Sequence, residues 1–184
     1  NRGSIITPLK DRIESQITTH YPTSITIGRK ITEQESRITA EQRKSVRVPE
    51  VLKDLIEEIA FAARESEYVD KKSGVSARLT ISAYENLYSS AERRILRNGE
   101  EKTTARITDF WGVIPALTGK VEMVYEGEQE GPYAVALHIL GMAIKKVFLN
   151  YFPNPAFFQF GRVGEIVEKT LFNRHAEDVQ RPGV

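Results

Sequence analysis

Two runs of apolar residues at helical spacing limit what this chain can fold into. After Pro49, the side chains of Val51, Leu52, Leu55, Ile56, Ile59 and Ala63 fall on one wide helical face. Leu79, Ala83, Leu87, Ala91 and Ile95 then recur every four residues and form a second stripe. Faces of this kind must be buried against other elements, so a mainly α domain is expected. Local signals mark the ends of both helices. Pro49 starts the first, and the polar run Asp70-Lys71-Lys72-Ser73-Gly74 reads as a loop. Ser76 is placed to cap the second, which Asn98-Gly99 ends through a left-handed glycine.

The flanking segments read less uniformly. Thr108 or Asp109 is expected to cap a shorter helix through Trp111, Ile114 and Leu117, closed at Gly119. Val121 to Glu126 fits either a strand or a helix start. Tyr133 to Phe152 is the most hydrophobic helix, stopped by Pro153 and Pro155, and a short helix over 163–172 precedes a polar tail. Upstream, Thr7-Pro8 opens a helix with Leu9, Ile13 and Ile17 on one stripe. Ile25 and Ile27 alternate with polar or small neighbours, which predicts a short strand within Thr23 to Lys30. Thr32 and Glu35 have the spacing of a capping box for a further short helix. A lone strand needs partners for its backbone groups, which places the rest of its sheet upstream.

Composition narrows the function classes. The chain has 26 basic and 25 acidic residues, a balance that gives no electrostatic reason to expect nucleic acid or an anionic membrane. There is no cysteine, which excludes disulfides and thiolate metal sites and fits a cytoplasmic location. The longest apolar run is interrupted by His138, Gly141 and Lys145-Lys146, so no membrane span is expected. His20, His138 and His175 are isolated from other ligand types, so no metal site is expected. Lys71-Lys72 and Arg93-Arg94 read as solvated charge, and Trp111 as a core anchor.

Two motifs carry a resemblance. The run from Asn1 to Arg12, with Thr7-Pro8-Leu9-Lys10-Asp11-Arg12 at its end and Thr19-His20-Tyr21-Pro22 beyond it, resembles the segment after the sensor-1 strand in AAA+ ATPases of the magnesium chelatase subunit I and MoxR group. Ser73-Gly74-Val75-Ser76-Ala77-Arg78-Leu79 is similar to the start of the lid helix that carries the sensor-2 arginine in that family. The resemblance implies a homo-oligomeric ring, usually hexameric, with ATP and Mg2+ bound between subunits. It implies catalytic roles for Asp11 and Arg12, with Arg12 as the arginine finger acting on the neighbour's ATP. Arg78 would bind the nucleotide from the lid of its own subunit. A guanidinium suits both tasks, because its charge is permanent and its planar fork grips two oxygens at once.

Other residues depart from the pattern. Ile13-Glu14 stands where the family has an aromatic-glycine pair, and the chain holds no G-x-x-x-x-G-K-[ST] loop and no acidic Walker-B strand. With nothing to cradle the phosphates, this chain alone is expected to be inactive as an ATPase and to bind no nucleotide tightly. It is therefore expected to be a C-terminal piece: residues 1–45 a helix-strand remnant of the αβα ATPase core, 46–152 a helical lid domain, and 153–184 a helical extension and tail. The implied activity is ATP hydrolysis coupled to remodelling of a partner, by analogy a protein with a von Willebrand factor A domain. On spacing alone, Arg12 also fits a solvated face and Arg78 an ordinary first-turn residue. A non-catalytic helical interaction module is the competing reading.

Overall fold

In the computed structural model, which describes Arg12, Ile13, Ser15, Ile17 and residues 19–151, the two apolar stripes become two long core-forming helices. In chain order the described elements are α1 (Ile25–Glu35), α2 (Ala40–Ser45), β1 (Val46–Arg47), α3 (Glu50–Glu65), α4 (Arg78–Asn98), β2 (Thr103–Thr104), a 3-10 helix (Ile107–Gly112), α5 (Ile114–Lys120), α6 (Tyr125–Glu130) and α7 (Pro132–Tyr151). The fold is mainly helical, with one small parallel sheet in which Val46 pairs with Thr103 and Arg47 with Thr104. Among the described residues, those up to Ile144 belong to one compact unit and those from Lys145 to a second.

α4 lies at the centre of the first unit. It packs against α1, α3, α5 and the 3-10 helix. Leu55 and Ile59 of α3 and Leu79, Leu87 and Ile95 of α4 are all buried, as their spacing predicts. The ends of α4 also follow the sequence. Ser76 Oγ accepts from the Arg78 N–H at 3.2 Å, and Gly99 takes the left-handed conformation at φ 67°. Neither Thr108 nor Asp109 is the N-cap of the next helix: the 3-10 helix begins after Arg106, and Asp109, three residues on, accepts from the Arg106 N–H at 2.8 Å. The ambiguous stretch from Val121 resolves into both alternatives. Val121 and Met123 make isolated antiparallel bridges to Val75 and Val69, and α6 begins directly afterwards.

The N-terminal expectations need correction. The strand expected within Thr23 to Lys30 is the first part of helix α1, capped by Ser24, whose Oγ accepts from the Ile27 N–H. The inward face of α1 carries Ile25, Gly28, Arg29 and Thr32, so its helical period is hidden among polar and small residues. Ile27 of the expected strand is exposed, as is Ile31 one turn on. Thr32 and Glu35 lie near the end of α1 and do not open a helix; the capping box belongs to Thr39 and Gln42 at α2. Among the described residues from Arg12 to His20 none is helical, and Ile13 and Ile17 are exposed. Within the described part of residues 1–45 the regular elements are thus α1 and α2, while the start of the helix expected from Thr7 lies outside the described residues. The expected helix over 163–172 and the extension from residue 153 lie outside the described residues.

α7 is the hydrophobic helix expected from Tyr133. Its 20 residues are long and apolar enough to cross a membrane by length and composition alone, with a mean hydropathy of 1.4 over the most apolar window. Gly141 and His138 do not interrupt the helix. Val135, Ala136, Ile139, Leu140 and Ala143 form a buried stripe along it, and His138 meets the edge of the Tyr68 ring.

Candidate functional site

Arg78 occupies the first helical position of α4 and is exposed. A cation at this end of a helix opposes the macrodipole, whereas an anion there is favoured by the free N–H groups and the dipole together. The loop leading to Arg78 is held in place from the N-terminal side. Tyr21 Oη accepts from the Val75 N–H at 3.1 Å, beside Gly74 at φ 71°. A Cβ on Gly74 would come within 2.4 Å of that hydroxyl, so both the backbone conformation and the close approach require glycine. Tyr21 is held in turn by Arg64, whose guanidinium lies 4.0 Å from the ring centroid. Arg12 is exposed in a turn, and Asp11 lies outside the described residues. Tyr21 therefore ties the segment downstream of Arg12 to the loop upstream of Arg78.

Behind the start of α4 lies a polar cluster that sequence reading did not single out. Glu57 of α3, Thr32 of α1 and Thr80 of α4 are all buried. Thr32 Oγ1 is 2.6 Å from Glu57 Oε1 and 2.8 Å from Thr80 Oγ1. Burial pushes the Glu57 carboxyl up to about 7, while the Thr32 hydroxyl and the Arg64 charge favour ionisation. Each hydroxyl carries one proton, so the direction of the chain depends on Glu57. When Glu57 is ionised, Thr32 donates to it and accepts from Thr80. When Glu57 is protonated, it can donate to Thr32, which then donates to Thr80. Gly28 faces this cluster, and a Cβ there would lie 2.3 Å from Glu57 Oε2. Arg64 completes the surroundings. Its Nε is buried without a hydrogen-bond partner among the described residues, and burial lowers its pKa.

At the other end of α4, Arg94 corrects the reading of Arg93-Arg94 as solvated charge. Arg93 is exposed, but Arg94 donates from Nε to Asp109 Oδ1 at 3.1 Å and from Nη2 to Asp109 Oδ2 at 2.9 Å. Its Nη1 donates to Thr103 Oγ1 at 2.7 Å and its Nη2 to the Thr104 carbonyl at 3.0 Å. A signal was present in the spacing: Arg94 follows Leu87 and Ala91 on the inward stripe of α4. Lys71 and Lys72 are exposed, and Trp111 is half-buried and stacks on Tyr133 at 6.5 Å between centroids.

Arg78 is thus presented on a fixed helix start with its side chain accessible, an arrangement that can contact an anionic oxygen. Among the described residues, no group of three His, Asp or Glu side chains could hold a metal ion. Compared with known proteins, the chain matches no family model, and no curated protein or solved structure matches it significantly.

Proposed function

We propose that this chain is the arginine-finger and lid part of a ring-forming AAA+ ATPase of the magnesium-chelatase-like type, which couples ATP hydrolysis to remodelling of a partner protein. The observation that carries this reading is Arg78, an exposed guanidinium at the start of α4 behind the Ser73-Gly74-Val75-Ser76 loop. It is supported by the exposure of Arg12, since a finger must leave its own subunit to reach a neighbour's phosphate. Arg78 would contact ATP, and Asp11 and Arg12 would act at the subunit edge of a hexameric ring. Mg2+ and the phosphate loop are assigned to the remainder of a longer parent chain. A protein with a von Willebrand factor A domain is the proposed partner class.

The test is Arg78→Ala in that parent, read by nucleotide affinity and by turnover. Impairment of either is expected, and unchanged values for both would sink the assignment. A second reading, a non-catalytic helical interaction module, draws on Ile27 and Ile31, which are 46% and 41% exposed one turn apart on α1. A phosphate-binding loop in the parent reading frame would decide for the ATPase.

A further inference from the structure

A groove of about 660 Å³ opens where the end of α2 and β1 meet the segment from Glu100 to Arg106. Among the described residues five cations line it, Arg43, Lys44, Arg47, Lys102 and Arg106, against one carboxylate, Glu100. This concentration is notable in a chain whose 26 basic and 25 acidic residues nearly cancel. All five side chains are exposed, and none is paired with a carboxylate among the described residues. Five like charges held together with a single carboxylate among them repel one another, so an anion bound there gains from all five.

The groove is also held in shape from behind. The parallel pairing of β1 with β2 brings Arg47 beside Thr104, and Ala105 N–H donates to the Arg47 carbonyl at 2.8 Å. Arg94 fixes β2, and the Asp109 carboxylate it binds also holds the Arg106 N–H. Because the Thr103 hydroxyl accepts from Arg94, its own proton remains available to donate. Cations on both walls and a hydroxyl donor on a braced strand match the many oxygens of phosphoryl groups. Among the described residues no aromatic side chain lines the groove, so a nucleobase finds no stacking surface on them.

We propose that this groove is a binding site for compounds carrying clustered phosphates, either a free oligophosphate or the phosphorylated headgroup of a lipid. It involves neither Arg12 nor Arg78 and does not depend on the ATPase reading. The test uses the full chain and titrates tripolyphosphate at constant ionic strength by calorimetry. A parallel arm uses vesicles of neutral lipid with and without a bisphosphorylated inositol lipid, so that the two sources are compared directly. Saturable binding in either arm is expected, weaker at higher salt. Each guanidinium removed should weaken it about tenfold. Arg47→Gln with Arg106→Gln should therefore lose most of the affinity, while Lys71→Gln with Lys72→Gln, which removes the same charge elsewhere, should retain it. If the first pair disturbs the fold by circular dichroism, Lys44→Gln with Lys102→Gln replaces it. No saturable binding in either arm, or equal loss in the groove and control variants, would overturn the proposal. So would tighter binding of a single-stranded oligonucleotide through the same residues.

Discussion

Arg94 and Asp109 meet through two parallel hydrogen bonds, and the same guanidinium holds Thr103 and the Thr104 carbonyl, so one side chain joins α4, β2 and the 3-10 helix. Asp109 is buried, and the ion pair is its counter-charge. Removing Arg94 would leave that charge and the Thr103 and Thr104 acceptors without their donor.

Arg94→Ala is therefore expected to destabilise the protein by about 3 kcal/mol, as for other buried pairs broken from one side. In a domain of this size that lowers the melting temperature by roughly 10 °C. Arg94→Lys keeps the charge but loses the fork, so it should recover only part of the loss. Thermal unfolding followed by circular dichroism checks both variants, and a change within about 1 °C for Arg94→Ala would show that the clamp contributes little.

Glu57 links stability to pH. Its folded-state value of about 7 lies above the ordinary 4.5, so the folded protein binds more protons than the unfolded chain between these values. Stability should fall as pH rises through that window and level off above it, by about 3 kcal/mol in total. Glu57→Gln removes the titration and should flatten the profile between pH 5 and 8. Parallel melting curves for the two proteins across this range test the assignment; the same slope in both would place the pH dependence elsewhere.

The arginine-finger role of Arg12 is tested in the parent by subunit mixing. Arg12→Ala should lower turnover by about 10³-fold or more while leaving nucleotide binding by its own subunit largely intact. Combining it with subunits whose phosphate loop is disabled should restore part of the activity, since some interfaces then pair an intact finger with an intact loop. Absence of rescue in verified mixed rings would assign Arg12 to its own subunit's fold.

The two long core helices were readable because their causes are local. A stripe such as Leu79-Ala83-Leu87-Ala91-Ile95 records burial at every turn, and Gly99 supplies a conformation that other residues rarely adopt. α1 was misread for a related reason. Its inward face holds Gly28, Arg29 and Thr32, and these residues pack only because α3 and α4 present Glu57, Asp54 and Thr80 to them. Arg29 is also bonded to Glu50, and Lys53 bridges Glu33 and Glu50, so much of the contact between α1 and α3 is ionic. The apolar alternation of Ile25 and Ile27 was the stronger signal in the sequence, but in the helix the two residues part, Ile25 on the inward face and Ile27 exposed.

The candidate sites divide along the same line. The place of Arg78 at a helix start was legible from the loop that precedes it in the chain. The basic groove was not, because overall charge balance conceals where charges converge. Arg43, Lys44 and Arg47 stand close together in sequence, but they face Lys102 and Arg106 only through the pairing of β1 with β2. The sequence by itself therefore determined the helices whose apolar period and caps are short-range. The tertiary structure decided the polar packing of α1, the ion pair of Arg94, the burial of Glu57, and the clustering of cations, because each depends on partners brought together from distant parts of the chain.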